Sequence, residues 1–239
     1  MNYKFMSFNI QSCRNYMTRK FSVDQIANVI KLYNPDIVGL NEVRGEKFIP
    51  DADESWFDQL KELSLKTGYK YYYHGVALNL KSGPYGNGIL SKIPFKNIET
   101  IAIPDPIIKD EDAFYETRCI IKASFDNFTL FITHVGLAKS EQENALNVIN
   151  NVINKETKPL LLMGDFNMTP DNDLIVDLSK KLVDTSIYFK QPSMSFPSVK
   201  PRIKIDYIFT SNNIIVNEAY IPKIVASDHY PYYINVNIK

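Results

Sequence analysis

Leu160-Leu-Leu-Met-Gly-Asp-Phe-Asn-Met-Thr-Pro170 is the stretch whose reading decides the fold. Residues 160–163 are a short apolar run after Pro159, the pattern of a buried strand. Gly164 is expected to let the backbone turn tightly where that strand ends. Asp165 and Asn167 follow at a spacing of two, which in an extended chain points both side chains the same way. One spot would then hold a carboxylate, able to bind a hard cation or position water, and a carboxamide, able to donate to an anionic oxygen. Taken alone, the same residues read equally well as a Gly-Asp turn with Thr169-Pro170 opening a helix. The rest of the chain decides between the two.

The chain has 239 residues, 45% hydrophobic and 13% aromatic, enough for a substantial core in one domain spanning residues 1–239. Lys+Arg and Asp+Glu are equal at 27 each, which argues against a strongly cationic nucleic-acid binder while leaving room for a local basic groove. Cys13 and Cys119 are the only cysteines, so neither a disulfide framework nor a cysteine zinc site is expected. The opening residues lack the pattern of a signal peptide, and no apolar stretch is long enough for a transmembrane segment. We expect a monomer with a cytoplasmic location.

Outward from the central stretch, strands alternate with amphipathic helices. Residues 3–9 read as an aromatic-rich strand ending in Asn9, followed by a loop carrying Arg14, Arg19 and Lys20. Residues 21–33 have helical spacing, with Ser22 and Gln25 as a capping box and Asn34-Pro35 as the stop. Residues 36–43 form a second strand in which Val38, Leu40 and Glu42 share a face by alternation, so Glu42 ends an apolar row and needs a partner. A metal ion and an ion pair with Arg44 are both open. A polar loop (45–54) and a helix over 56–66, with Phe57, Leu60, Leu63 and Leu65 on its apolar side, lead to Gly68. Strands follow at 69–76 (containing His74), 86–91 and 95–103, with a turn at 81–85. Residues 104–112 read as an irregular rim loop. Residues 114–125 and 128–135 read as two long strands joined at Asp126-Asn127, carrying Glu116 and Arg118 on one face and ending in His134. A helix over 140–154 precedes the central strand. A second helix (about 172–181), a polar connection and strands at 204–209, 214–221 and 232–238 follow it. Asp206 interrupts an apolar strand and therefore needs a partner.

Strand ends thus supply Asn9, Glu42, His134, Asp165, Asn167, Asp206, Asp228 and His229. Glu42, Asp165 and Asp228 with Asn9 make an oxygen-rich set that suits Mg²⁺ or Mn²⁺ better than zinc. An imidazole beside a carboxylate, such as His229 with Asp206, is how a base is oriented to take a proton from water.

In chain order, Ser-Phe-Asn9, Asn41-Glu42-Val, Tyr85-Gly-Asn-Gly-Ile-Leu-Ser91, Glu116-Thr-Arg118, Thr133-His134, Gly164-Asp-Phe-Asn167, Ile205-Asp-Tyr-Ile-Phe and Ser227-Asp-His-Tyr-Pro resemble the endonuclease/exonuclease/phosphatase superfamily. That group includes DNase I, the AP endonucleases, the neutral sphingomyelinases and the inositol polyphosphate 5-phosphatases. The resemblance runs from residue 7 to 231 and implies an α/β (α+β), DNase I-like fold. Two mixed β-sheets would form a four-layer sandwich with flanking helices, with the site at one end. It implies a Mg²⁺-dependent phosphoester hydrolase acting by in-line attack of water. Glu42 would be the principal metal ligand, with Asn9 and Asp228 close to the metal. His229, oriented by Asp206, would activate water or stabilise the phosphorane. Asp165 is either base or water-positioning group. Asn167 and His134 would hold the phosphoryl oxygens, with His134 also a candidate acid for the leaving group, and Asn87 and Arg118 would bind substrate. Asn41 and Lys204 stand where many members have Gln and Arg, and Gly88 where Ala is frequent.

His134 replaces the Asn-x-Tyr pattern of AP endonucleases, and the Trp and Arg of the inositol-phosphatase signature are absent. The preferred substrate is therefore a small or lipid-derived phosphate ester. The alternatives are a nuclease, which requires a basic surface drawn from Arg14, Arg19, Lys20 and Arg44, and a catalytically silent binding module of the same fold. The loops at 45–54 and 104–112 are expected to carry specificity.

Overall fold

A computed structural model describes residues 1–110 and 113–239; Glu111 and Asp112, the end of the expected rim loop, lie outside the described residues. In chain order the elements begin with β1 (Asn2–Asn9), α1 (Val23–Tyr33), β2 (Ile37–Arg44), α2 (Gln59–Thr67), β3 (Tyr71–Leu80), β4 (Gly83–Ser91) and β5 (Asn97–Ile103). They continue with β6 (Arg118–Ser124), β7 (Thr129–His134), α3 (Lys139–Ile153), β8 (Leu160–Asp165) and α4 (Asp173–Ser179). The last are β9 (Val183–Asp184), β10 (Asp206–Thr210), β11 (Ile215–Tyr220) and β12 (Tyr232–Asn237). Two six-stranded sheets result, ordered β11-β12-β1-β2-β4-β3 and β5-β6-β7-β8-β10-β9.

Alternation along the inner strands builds the layers. Phe5 of β1 and Leu161 and Met163 of β8 meet in one core between the sheets. Their neighbours point the other way. Met6 and Phe8 pack with Ile26 and Ile30 of α1 and Leu60 and Leu63 of α2. Leu160 and Leu162 pack with Ile149 of α3 and Ile175 of α4. The order is therefore helices, sheet, sheet, helices, as the resemblance implies. No described helix is long and apolar enough to cross a membrane.

Each sheet has one parallel pair at its centre. β1 and β2 run parallel with Asn9 opposite Asn41, and β7 and β8 run parallel with His134 opposite Asp165. Each pair is joined by a crossover helix, as parallel strands require. The carboxyl ends of all four strands therefore open at the same end of the sandwich, where α/β sheets present their ligand sites. β10 is antiparallel to β8 and begins there, with Asp206 opposite Asp165.

Several local expectations are corrected. Ser22 makes no side-chain cap; Gln25 instead accepts from Asn15 at 2.5 Å. α2 starts later than expected because Asp58 caps it, accepting from the Lys61 N–H at 2.9 Å, and Leu65 faces solvent. Gly83 and Pro84 belong to β4 rather than to the turn before it. Residues 114–117 precede β6 rather than extending it, and the polar connection contains β9 and a short 3₁₀ turn, Thr185–Tyr188.

Candidate active site

Glu42 reaches the open end by a break in its strand, not by alternation. The pairing of β2 with β4 slips between Leu40 and Val43, and Glu42 sits in that bulge with φ 60°. Strict alternation would have sent its carboxylate into the layer of α1 and α2 with Val38 and Leu40. Instead it meets Asn9, whose Nδ2 donates to Glu42 Oε1 at 3.0 Å. The alternative ion pair with Arg44 is not formed. Arg44 bonds Ser55, lies 3.6 Å from Asp53, and stacks 4.5 Å from the Trp56 ring.

The loop after β1 is equally unusual. Gln11, Ser12 and Cys13 all take left-handed φ, at 46°, 51° and 60°. The loop is held because Ser12 Oγ donates to the Glu42 carbonyl at 3.1 Å and Gln59 donates to the Ser12 carbonyl at 2.9 Å. The result aims Gln11 Nε2 at Asp228 Oδ2, 2.7 Å away. The Gln11 side-chain oxygen is buried without a partner among the described residues.

Asp165 lies at the centre. Its Oδ2 accepts from Asn9 at 3.0 Å and lies 3.5 Å from His229 Nε2 and 3.6 Å from His134 Nε2. Its Oδ1 accepts from the Asn167 N–H at 3.0 Å. That contact, with Asn167 at φ 52°, closes an Asx turn, so Asp165 and Asn167 converge by turning rather than by extension. Gly164 is not that turn. It lies within β8, and a Cβ there would strike the Thr133 carbonyl of β7.

His229 is gripped by carboxylates. Its Nδ1 bonds Asp206 Oδ2 at 2.8 Å, and Phe196 packs 4.8 Å from its ring. Burial disfavours the imidazolium, but Asp206 and Asp165 outweigh it and raise the pKa. Burial raises the pKa of Asp165, and Asp206 raises it further against the pull of His229 and Asn9. His134 differs in kind. Burial, with Arg118 and His229 nearby, holds it well below the ordinary range and keeps it neutral. Arg118 Nη1 lies 3.2 Å from its Nδ1, and the ring Nε2 faces Asp165 Oδ2 at 3.6 Å. Asn167 Nδ2 donates to the Val135 carbonyl at 2.9 Å and lies 3.3 Å from that Nε2.

Nine of the ten residues singled out from sequence meet at this end. They surround a cleft of about 350 Å³ lined by Glu42, Arg118, His134, Asp165, Asn167, Asp228 and His229, with Asn9 and Asp206 behind. Asn87 is the exception. It is buried behind the wall, accepting from Asn41 at 2.8 Å and donating to the Cys119 carbonyl at 2.9 Å, so its polar atoms are spent on joining strands. Asn9 also departs from expectation. Its oxygen accepts from the Gln11 N–H at 3.1 Å and its nitrogen faces the carboxylates, the orientation of a positioning group rather than a metal ligand.

The donor chemistry fits a hard divalent cation. Burial raises the Glu42 pKa and Asp228 raises it further, against the pull of Asn9, His229 and Arg118, so two carboxylates crowd one corner of the cleft. The partnerless oxygen of Gln11 adds a neutral donor beside Asp228, making an all-oxygen set. Asp165, Asp206 and His229 also bring ligand-type atoms within 4.8 Å of one another, but a proton already bridges His229 and Asp206.

Sequence reading missed the supports. Asn41 Oδ1 accepts from the Asp165 N–H at 3.0 Å while its Nδ2 donates to the Thr133 carbonyl at 2.8 Å. The Ser195-Phe-Pro-Ser198 phrase is a brace. Ser195 Oγ accepts from the Asp206 N–H at 3.3 Å, and the Ser198 N–H donates to the Asp228 carbonyl at 2.7 Å. The available signals were the place of Asn41 in the phrase Asn41-Glu42-Val and polarity, since Asn41 and Ser195 are polar residues within or beside apolar strands.

The sequence pattern of the Endonuclease/Exonuclease/phosphatase family matches residues 6–229. The uncharacterized protein YbhP of Escherichia coli K12 is 22% identical over 218 residues, 88% of this chain and 85% of that protein. Exodeoxyribonuclease III of Haemophilus influenzae is 27% identical over 183 residues, 71% of this chain and 59% of that enzyme. An endonuclease/exonuclease/phosphatase from Beutenbergia cavernae superposes with a TM-score of 0.80 at 20% identity, covering 99% of this chain and 72% of that one. The mannosyl-6-phosphatase Bt3783 of Bacteroides thetaiotaomicron gives 0.74 at 17% identity, covering 99% and 100%.

Proposed function

The chain belongs to the endonuclease/exonuclease/phosphatase family, and we propose that it hydrolyses a small or lipid-derived phosphate ester with Mg²⁺ or Mn²⁺. The observation that carries this reading is the adjacency of two differently built acidic groups. Glu42 and Asp228, with the Gln11 oxygen, form a corner of crowded oxygen donors, and the hydrogen-bonded Asp206–His229 pair stands against Asp165 beside it.

Glu42 and Asp228 would hold the cation, which when bound supplies positive charge to a phosphoryl oxygen. The remaining work falls to the chain's own groups. Asp206 fixes the His229 ring, so Nε2 faces Asp165 and the cleft. Asp165 orients the attacking water and takes its proton, while His229 donates to a phosphoryl oxygen as negative charge grows there. Asn167 and His134 contribute further polar contacts to the phosphoryl group, with Arg118 holding the His134 ring from its Nδ1 side. Water's oxygen forms a bond to phosphorus, the opposite P–O bond breaks, and the released alkoxide takes a proton from solvent water, to which Asp165 returns the one it accepted.

A nuclease reading draws on the likeness to exodeoxyribonuclease III. The cleft argues for the smaller substrate. Its described lining contains no lysine, and Arg44 and Arg14 are drawn onto the Phe21 and Trp56 rings instead of forming a strand-binding face. The deciding assay presents plasmid DNA, an abasic-site duplex, bis-p-nitrophenyl phosphate, sugar and inositol phosphates, and sphingomyelin, each with Mg²⁺ or EDTA. Turnover of a small or lipid ester, DNA left intact, and a loss of about 10³-fold in His229→Ala is the expected result. Nicked DNA that stays intact with the variant would make this a nuclease. Equal activity of wild type and Glu42→Gln would point to a silent module.

A further inference from the structure

The corner that holds Glu42 and Asp228 is built from two segments in backbone conformations that side chains resist. Glu42, at φ 60°, sits in the β2 bulge, and Gln11, Ser12 and Cys13, at 46°, 51° and 60°, carry Gln11 to Asp228. Left-handed backbone at a residue other than glycine persists only where its surroundings hold it. β1 does not hold it here, because its pairing with β2 ends at Asn41. Beyond that point the backbone of β2 has no strand on its β1 side, and buried backbone polar groups need partners. Two side chains supply them. Ser12 Oγ donates to the Glu42 carbonyl at 3.1 Å, and Gln59 Oε1 accepts from the Arg44 N–H at 3.0 Å.

Gln59 holds both segments at once. Its Nε2 donates to the Ser12 carbonyl at 2.9 Å and to the Ser55 carbonyl at 3.2 Å. One carboxamide therefore joins the strand that carries Glu42 to the loop that carries Gln11. Its oxygen and both of its donor hydrogens are used, and every partner is backbone. The side chain is wholly buried and does not line the cleft. It stands on the first residue of α2, a helix capped by Asp58 and packed through Leu60 and Leu63 into the core that holds Val43 of β2. The separation of two oxygen donors in the cleft is thus referred to a rigid element outside it.

We propose that Gln59 is the positioning residue of this corner: it joins the bulge that turns out Glu42 to the loop that aims Gln11 at Asp228, and so sets the affinity for a divalent cation that it never touches. This rests on the cation reading above. The test titrates Mn²⁺ into the metal-free full chain and reads free Mn²⁺ by electron paramagnetic resonance, for wild type, Gln59→Met and Ser64→Ala. Gln59→Met keeps the bulk and loses all three bonds, and should raise the Mn²⁺ Kd about tenfold or more. Ser64 is buried in the same helix and donates to the Tyr69 carbonyl at 2.7 Å, beyond the helix's far end. Ser64→Ala should be less stable in urea with EDTA and keep the wild-type Kd. An unchanged Kd in Gln59→Met, or an equal rise in Ser64→Ala, makes Gln59 a packing residue and overturns the proposal, while Mn²⁺ binding by the wild type keeps the cation reading standing. No Mn²⁺ binding by the wild type removes both. Amide exchange of the wild type alone decides the matter if Gln59→Met does not fold. Coupling is reciprocal, so saturating Mg²⁺ should slow exchange of the Arg44 N–H more than that of the Gly68 N–H, which bonds the Ser64 carbonyl at the end of the same helix. Equal slowing at the two amides overturns the proposal.

Discussion

Asn41 never touches the cleft, yet three of its hydrogen bonds join β2 to β4, β7 and the backbone of Asp165. Asn41→Leu should therefore lower kcat while moving KM little, and should cost about 1–3 kcal/mol in urea unfolding because buried partners lose their bonds. A KM effect without a kcat effect would show that Asn41 does not act through Asp165. His134 carries a prediction of opposite origin. Burial, Arg118 and His229 hold its pKa well below the ordinary 6.5, so the unfolded chain takes up a proton first as pH falls. The folded state then loses stability from about pH 6.5 downward and keeps it above. Between pH 7 and 5.5 the wild type should lose about 1 kcal/mol more than His134→Asn in EDTA. Equal losses in the two proteins would mean that His134 is not held neutral.

At the scale of elements, the site is made where regular structure stops. The bulge at Glu42, the left-handed run at 11–13 and the Asx turn at Asn167 each turn a side chain off the path its strand would give it. Periodicity located these elements and misread their ends, because a bulge or turn is set by neighbouring chains and leaves no period in the sequence. Two glycines separate conformation from close approach. Gly68 ends α2 with φ 78° and open space around it, so Gly68→Ala should cost about 1 kcal/mol with activity intact. At Gly164 φ is 147° and the Thr133 carbonyl occupies the place of a Cβ. Gly164→Ala must push β7 from β8 and should cost about 3 kcal/mol or more, with a loss of kcat since His134 and Asp165 lie just beyond. Comparable melting temperatures for the two variants would contradict this reading.

Across the molecule, Glu42 comes from one sheet and Asp228 from the chain leading into β12, so a shared cation would tie distant segments together. Mg²⁺ at a hundred times its Kd should stabilise the wild type by about 2.7 kcal/mol, and Glu42→Gln should lose most of this increment in thermal melts with and without EDTA. An unchanged increment would place the cation elsewhere.

The sequence by itself determined the strand and helix order, the four-layer arrangement through its resemblance, and nine of the residues that gather at the cleft. These are legible because burial imposes periods on a sequence and because the reacting groups must be of particular chemical types. Tertiary structure alone decided that Asn87 works behind the wall, that Asn9 turns its nitrogen rather than its oxygen to the carboxylates, and that Gln11 and Asn41 complete the site. A carboxamide carries a donor and an acceptor on one short stem, and which end it presents is fixed by partners that approach only when both sheets have packed.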